Sequence, residues 1–476
     1  MNLMSKSILY VDLDGTLLRG DTLHEAMPSV FARPVLWPAV VRALFQGKAA
    51  FKKQVAVRSR LDVGSLPYRK EFVTWLAEQR AAGRSLVLAT GADRAVAEAV
   101  AGQLGLFDGV LASDGTTNLT GIRKLEAIKA HAAGRPFAYA GNDSVDAPIF
   151  EEASSAVLVG RAVSLEHGLK HVRIEARFDS EDNRLGAVMR LLRPHQWAKN
   201  ILVFLPAAAA HRFFDPTVMT PAAGLFVAFS LCASGVYALN DLLDLAHDRV
   251  HPHKQGRPLA SGAVSIPLGL ATAMILPLAA FAVAFFAAGP GAVMMLAGYW
   301  AATTYYSMHG KRVPLLDVFL LAGLYTFRAF AGALTVPTGI SVWMAAFLLF
   351  LFLSLACLKR FSELIALPQE HADCIRGRGY RREDHVLMGA LGVGSAFAAT
   401  LVLCLYVAGP GVVALYARPA YLMGMAPAVL FGLARFWLQA SRGELHADPV
   451  VHAMRDIVSY LLLATCLACM ALASIP

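Results

Sequence analysis

The residues best equipped for chemistry form two acidic groups far apart in the chain. The first runs from Asn240 through Asp241, Asp244 and Asp248 to Lys254 and Arg257. Its aspartates are spaced i, i+3 and i+7, so a helix would carry all three on one side. The group directly follows the apolar run 222–239, and ionised side chains at a membrane boundary are costly enough to mark a site. Carboxylates beside Lys and Arg suit a divalent metal that grips a substrate phosphate. The plainer alternative is a solvated loop between two membrane helices. His247, His251 and His253 lie close by, but the neighbouring carboxylates favour Mg²⁺ over zinc.

The second group is Asp12-Leu13-Asp14-Gly15-Thr16-Leu17, delivered by the strand-like run Ile8 to Val11. Two carboxylates two residues apart at a strand end can share a metal and divide the work. Asp12 can attack phosphorus while Asp14 protonates the leaving oxygen. A second strand-like run, 85–89, ends in Thr90 and Gly91, a hydroxyl and a tight-turn amide able to hold phosphate oxygens. Lys124 follows. A third run, 137–140, then leads into Gly141-Asn142-Asp143-Ser144-Val145-Asp146, another acidic strand end. Each piece alone reads as an ordinary turn or a surface lysine; the four in this order are harder to dismiss.

These groups need two different scaffolds. The chain has 476 residues, mean hydropathy +0.52, 57% hydrophobic and 16% charged residues, which implies more than one domain. Residues 1–185 have the charge density of a soluble domain. From about residue 200, nine apolar segments follow: 197–211, 220–240, 266–288, 290–308, 313–335, 340–358, 386–408, 419–440 and 456–475. Most approach the roughly 20 residues that cross a bilayer, the first being short and carrying Pro206. The run Met1 to Ser7 leads straight into the first strand, so no cleavable signal is expected and the N-terminal domain should stay cytoplasmic. On that orientation the inner loops carry Arg249, Lys254, Arg257, Lys311, Arg312, Lys359, Arg360, Arg376, Arg378, Arg381, Arg382, Arg442 and Arg455, whereas the outer loops carry only Arg212 and Arg418. This asymmetry follows the positive-inside rule and puts every candidate loop on the side of the soluble domain. The net charge of +9 is spread over these loops, which suits membrane orientation and phosphate binding rather than nucleic acid. The six cysteines fall mostly in apolar spans, where packing outweighs redox or zinc roles even for Cys466 and Cys469.

Over roughly residues 6–178 the order of motifs resembles the haloacid dehalogenase-like hydrolase superfamily, most specifically at Asp12, Asp14, Gly15 and Thr16. The resemblance implies an α/β Rossmann-like fold over 1–178, with a small helical cap at about 20–75. It makes Asp12 the nucleophile, Asp14 the general acid/base, Thr90, Gly91 and Lys124 phosphate holders, and Mg²⁺ the metal, bound by Asp12, Asp14 and Asp146. One departure is visible: Asn142 stands where the family's last motif usually has its first acid. Its carbonyl oxygen can still ligate Mg²⁺, and Asp143 lies next to it.

After a linker at 179–190, residues 191–476 resemble the UbiA superfamily of intramembrane prenyltransferases. The motif Asn240, Asp241, Asp244, Asp248 and the trailing Arg257 to Gly262 carry that likeness. Within the superfamily the chain is more similar to the polyprenyl-phosphate phosphoribosyltransferases. The residues behind this are Leu192 to Asn200, Tyr305 through Lys311 to Asp317 and on to Arg328 and Gly332, then Lys359, Arg360 and Glu363, with Gly379 and Tyr380 downstream. Aromatic prenyltransferases usually carry a second aspartate-rich motif; here Asp317 is followed four residues later by Leu321. The resemblance implies an all-α polytopic bundle of about nine helices in the inner (plasma) membrane. It implies transfer of 5-phosphoribosyl from phosphoribosyl diphosphate to a polyprenyl phosphate, as in cell-envelope biosynthesis.

The residue chemistry is consistent with such a donor, which is small and very anionic. Lys199, Lys254, Arg257, Lys311, Arg328, Lys359 and Arg360 supply positive charge, with Asn240, Asp317 and Tyr380 as further substrate contacts. Asp241, Asp244 and Asp248 supply metal ligands and the catalytic acids. Arg328 lies mid-span and is expected to face the cavity and meet a phosphate or carboxylate. For Lys311, Lys359 and Arg360, snorkelling to lipid headgroups is the plainer reading. The soluble domain would then remove the 5-phosphate and leave polyprenylphosphoryl ribose. The alternatives are a prenyltransferase acting on an aromatic or quinone-precursor acceptor, and a carrier without chemistry. Lipid chain length and oligomeric state are not written in the sequence.

Overall fold

The computed structural model describes residues 7–31, 33–45, 47–59, 61–114, 116–169, 171–179, 183–367, 378–445 and 448–475. Residues 180–182 of the expected linker, and 368–377 with the inner-loop residue Arg376, lie outside them. The N-terminal part has six strands: β1 (Ile8–Val11), β2 (Leu86–Asp93), β3 (Gly109–Ser113), β4 (Phe137–Gly141), β5 (Ser155–Val159) and β6 (Arg173–Phe178). They pair in the order β3-β2-β1-β4-β5-β6, all parallel. β1, β4 and β5 are buried along their whole length, as befits strands covered on both faces. Leu9, Val11, Leu86 and Leu88 join one core, whereas Ile8, Tyr10, Val87 and Ala89 join the other. The strand order reverses between β1 and β4, and the crevice at the carboxyl ends of such a pair is where doubly wound sheets bind ligands.

Eight helices accompany the sheet: α1 (Thr22–Phe31), α2 (Trp37–Phe45), α3 (Lys48–Arg58), α4 (Lys70–Ala81), α5 (Arg94–Leu104), α6 (Ile122–Ala132), α7 (Ala147–Glu152) and α8 (Arg184–Leu192). Helices α1 to α3 pack around a small core of Ala26, Val30, Val40 and Val55 and form the cap. Its two stems pair with each other: Arg19 N donates to Pro67 O at 3.0 Å and Arg69 N to Leu17 O at 3.0 Å. The cap therefore ends near residue 66 rather than 75, because α4 buries Phe72 and Leu76 in the core of the sheet.

Beyond α8 lie a 3₁₀ stretch (Pro194–Phe204), α9 (Leu205–Ala209), α10 (Pro216–Leu243), α11 (Leu245–Val250), α12 (Ile266–Met308), α13 (Leu316–Ala333) and α14 (Val342–Ile365). Three further apolar helices cover Arg382–Val407, Pro419–Ser441 and Ile457–Ser474. Among the described residues, seven helices are long and apolar enough to cross a membrane, not nine. Two features account for the difference. The segment 197–211 winds mainly as 3₁₀ helix up to Phe204, followed by the five residues of α9. The segments 266–288 and 290–308 form one 43-residue stretch broken at Ala288 (φ −145°) and Gly289 (φ +74°). At about 1.5 Å per residue that stretch is about twice the thickness of a bilayer core.

The chain forms two compact units, Met1–Arg193 with Tyr237–Met274, and Pro194–Val236 with Ile275–Pro476. The aspartate-rich segment thus belongs to the same unit as the sheet. There Ala187 and Leu191 of α8 pack with Leu242, Leu245 and Leu259. The second unit is all helical, with cores around Val203, Phe229 and Leu296 and around Leu348, Phe352 and Trp437.

Candidate functional site

Asp12 is delivered to the crevice by β1: its N–H donates to Ala140 O at 3.0 Å, which locks the strand end against β4. Lys124 reaches the same point from α6. Its Nζ lies 2.9 Å from Asp12 Oδ1, 3.2 Å from Asp146 Oδ1 and 3.0 Å from the Tyr139 hydroxyl. All four side chains are buried. Burial pushes the Asp12 carboxyl up to about 6, against the attraction of Lys124. Burial alone would lower Lys124, but Asp12 and Asp146 outweigh it and hold the ammonium above its ordinary value. Asp14, half-buried by area, accepts the Thr22 N–H at 2.7 Å from the first turn of α1. Burial, with Asp21 nearby, pushes Asp14 up to about 7. A carboxyl in that state can donate a proton near neutrality.

Thr16 Oγ1 donates to Asn142 Oδ1 at 3.2 Å, so the asparagine that departs from the family pattern faces the cluster. Gly15 has φ +76°, and a Cβ there would lie 2.1 Å from Asn142 Nδ2. Only glycine suits this turn. Asp143 lines the same cavity but spends Oδ1 on the Ser144 N–H at 2.6 Å. Thr90 differs from expectation. It is fully buried, its hydroxyl accepts the Ala92 N–H at 3.0 Å, and Gly91 rather than Thr90 reaches the cavity. Sequence reasoning missed Lys52, which arrives from the cap on α3. Its Nζ donates to Gly91 O at 2.8 Å. It also missed Arg69, whose Nη2 donates to Gly15 O at 3.3 Å. Neither has a local motif to flag it, because both depend on how the cap folds back.

The aspartate-rich segment is not one continuous helix. α10 ends at Leu243, Asp244 sits at the N-cap of α11 with φ −93° and ψ 6°, and α11 carries Asp248. Asp241 and Asp248 still meet, because Arg257 Nη1 lies 3.1 Å from Asp241 Oδ1 and 2.5 Å from Asp248 Oδ2. Arg193 Nη2 holds both oxygens of Asp241, at 2.6 and 2.8 Å, and its guanidinium stacks 5.1 Å over Tyr237. Lys254 stands 3.8 Å from Asp248 Oδ1. Asp241 and Asp248 are 2% and 1% exposed, Asn240 and Asp244 half-buried. Arg193 stood in the sequence only within the run Leu192 to Asn200 that carries the family likeness, and not among the candidate site residues. It adopts φ +53° to end α8.

Among the described residues no three His, Cys, Asp or Glu side chains converge as a metal site. Both acidic groups nevertheless suit Mg²⁺ by chemistry. In the first, Asp12, Asn142 and Asp146 offer only hard oxygen donors around the glycine cradle. In the second, Asp248 Oδ1 is buried without a hydrogen-bond partner. Lys254, 3.8 Å away, is beyond hydrogen-bond reach, so the oxygen can still take a direct ligand bond to a metal.

The second unit holds the other expected residues. Asp317 and Arg360 form an ion pair at 2.8 Å with both side chains fully buried. The Tyr380 hydroxyl donates to Asp317 and accepts the Leu315 N–H at 2.8 Å. It thereby holds Leu315 at φ +67°, where a leucine is strained. Arg360 also meets Glu363. Arg328 donates to Asn200 Oδ1 at 2.7 Å, the Tyr299 hydroxyl at 2.8 Å and Leu324 O at 2.5 Å. Arg328 thus gives three of its five N–H donors to neutral protein groups, and no carboxylate among the described residues pairs with it. Asp317 and Arg360 are likewise buried against protein partners, and Tyr380 ties Asp317 to the backbone at Leu315. Lys359 and Lys199 both approach Asp448 Oδ2, at 2.8 and 3.4 Å. Lys311 lies half-buried in the turn Gly310–Arg312.

Comparison with known proteins decides the family. Residues 201–454 match the UbiA prenyltransferase family, and residues 9–151 match haloacid dehalogenase-like hydrolase. The chain belongs to the UbiA prenyltransferase family. It carries a haloacid dehalogenase-like domain in front. Uncharacterized protein y4nM of Sinorhizobium fredii is 35% identical over 464 residues, 95% of this chain and 88% of the relative. Nodulation protein NoeC of Azorhizobium caulinodans is 34% identical over 264 residues, 56% of this chain and 85% of the relative. Decaprenyl-phosphate phosphoribosyltransferase of Mycobacterium tuberculosis is 32% identical over 186 residues, 38% of this chain and 61% of the relative. The chain is a multi-pass membrane enzyme of this family with a hydrolase-type domain attached.

Proposed function

We propose that the membrane part transfers 5-phosphoribosyl from phosphoribosyl diphosphate to a polyprenyl phosphate. The observation that carries this reading is the cluster in which Arg193, Arg257 and Lys254 surround Asp241 and Asp248. Such a cluster can exchange its internal ion pairs for the oxygens of a diphosphate and its metal. A lipid phosphate oxygen forms a bond to the anomeric carbon as the bond from that carbon to pyrophosphate breaks, and the electron pair leaves with pyrophosphate. Mg²⁺, held by Asp241, Asp244 and Asp248, would neutralise the departing charge. Arg193, Arg257 and Lys254 turn their donors to the same oxygens. The partial likeness to decaprenyl-phosphate phosphoribosyltransferases supports the donor.

The N-terminal domain then hydrolyses the 5-phosphate, leaving polyprenylphosphoryl ribose. An Asp12 oxygen attacks phosphorus while Asp14 gives its proton to the departing ribose oxygen. Water then releases inorganic phosphate and regenerates the carboxylate. Lys124 keeps Asp12 oriented and holds the phosphoryl oxygens. The loop charges support an inner-membrane location with this domain in the cytoplasm. The test is to incubate the purified protein with polyprenyl phosphate and labelled phosphoribosyl diphosphate. A lipid-linked phosphoribose is expected, losing phosphate unless Asp12 is changed to Asn. Turnover only of a prenyl diphosphate with an aromatic acceptor would overturn the assignment. Asp317, without a second acid at Leu321 and already paired to Arg360, speaks against that outcome.

A further inference from the structure

The cavity above Asp12 measures about 710 Å³, far more room than the one phosphoryl group at Asp12 and Lys124 needs. Part of its lining is cationic and comes from outside the catalytic loops: Lys52 on the cap, and Arg184 at the start of α8. Among the described residues no ion-pair partner meets Lys52 or Arg184. Lys52 instead donates to the Gly91 carbonyl beside the reaction centre. Another part of the lining is apolar. It consists of Val188 on α8 and of Ala263, Val264 and Leu268, which follow the aspartate-rich segment. Leu268 is 44% exposed and is the third residue of α12, a candidate membrane span.

That apolar wall is fitted to the cap. Gly262 has φ +77°, and a Cβ there would come within 2.9 Å of Arg19 Cβ and 3.3 Å of Pro67 Cβ on the cap stems. The close approach and the backbone angle both require glycine. Nearby, Arg249 Nη2 lies 2.9 Å from Glu25 Oε1 and 2.8 Å from Oε2, with both side chains buried. The segment is therefore a built wall of the hydrolase cavity.

We propose that this cavity selects an amphiphilic phosphomonoester: a head group with a second anionic group and an apolar chain. The phosphomonoester sits at Asp12. Arg184, with Lys52, holds the second anion, and the chain leaves over Val188, Ala263 and Leu268 towards the membrane. A single charged phosphate on a small sugar would leave both the cations and the apolar wall without purpose. The proposal rests on the phosphatase reading above and adds what that reading leaves open, namely which residues choose the substrate. A second phosphate could belong to a lipid-linked diester or to a soluble bisphosphate, and the apolar wall favours the lipid.

The test uses the full-length protein in nanodiscs and reads phosphate release. Three substrates are compared: a short-chain polyprenylphosphoryl 5-phosphoribose, ribose 1,5-bisphosphate and ribose 5-phosphate. The wild type should prefer the lipid. Leu268→Glu should lower kcat/KM for the lipid by about tenfold or more, the scale of a lost apolar contact in a pocket, and leave both soluble substrates within about twofold. Arg184→Gln should weaken the two substrates with a second phosphate and spare ribose 5-phosphate. Equal turnover of lipid and bisphosphate by the wild type would overturn the proposal while leaving the phosphatase intact. Equal losses on all three substrates would do the same, since they mark a structural role. Release from none of the three by the wild type would remove the phosphatase reading itself, and this inference with it.

Discussion

Glu25 and Arg249 offer a sharp test of how the cap is joined to the segment behind the aspartate-rich motif. Their side chains are only 3% and 7% exposed, and one guanidinium nitrogen serves both carboxylate oxygens. The contact is thus end-on, not a two-nitrogen fork. Burial pushes the Glu25 carboxyl up in spite of Arg249 beside it. Desolvation therefore outweighs the attraction between the two charges. Two magnitudes follow. Arg249→Met leaves Glu25 buried and uncompensated and should cost about 3–5 kcal/mol. Glu25→Leu together with Arg249→Met removes both charges and should fall within about 2 kcal/mol of the wild type. The coupling energy in a double-mutant cycle should then exceed about 2 kcal/mol. In a unit of this size the single change should lower the thermal midpoint by on the order of 10 °C. Fluorescence-detected melting of the detergent-solubilised protein reads it. A carboxyl raised in the folded state takes its proton there before the unfolded chain does. Stability from this group is therefore lost as pH rises through that window, and Glu25→Gln should flatten the slope. Single changes within about 0.5 kcal/mol of the wild type, or strict additivity, would refute the reasoning.

Other outcomes follow from the same geometry. Asp12→Asn should abolish phosphate release and let lipid-linked phosphoribose accumulate, which thin-layer separation of the labelled product would reveal. Phosphate release should show a narrow bell in pH, because Asp12 must be ionised and is pushed up to about 6, while Asp14 must be protonated and is pushed up to about 7. Activity should fall on either side, and a flat profile from pH 5 to 9 would contradict those roles. Asp248→Asn should reduce transfer by about a hundredfold or more, as for loss of a charged group beside a departing anion, with phosphate release from ribose 5-phosphate unchanged. Arg360→Met leaves the buried Asp317 with only Arg378, 3.8 Å away, as a cation partner and should destabilise the second unit by about 3–5 kcal/mol, seen as earlier aggregation on heating.

Much of the architecture was written locally. Ile8 to Val11 and Phe137 to Ala140 are unbroken apolar runs, and such runs form strands when helices cover both faces, as β1 and β4 show. The spacing of Asp12, Asp14, Lys124 and Asp146 marked the hydrolase centre, and Lys124 does join Asp12 to Asp146. The apolar segments were legible too, but not their number. Periodicity says where a chain is apolar; it does not say whether Ala288 and Gly289 break a helix or end it. The partners of charged residues were least legible. Arg328 and Lys359 look alike in a sequence as cations near an apolar span, yet Arg328 is enclosed by Asn200 and Tyr299 while Lys359 reaches Asp448.

The sequence by itself determined which segments are apolar, where the acids stand at strand and helix ends, and therefore the two kinds of scaffold. These are properties of neighbouring residues, set by the periods of strand and helix. Only the tertiary structure decided that Arg193 and Arg257 bridge the aspartates, that Tyr380 braces Leu315, and that residues 262–268 wall the hydrolase cavity. Such pairings join positions up to hundreds of residues apart. Burial, not sequence distance, selects which charges must find each other.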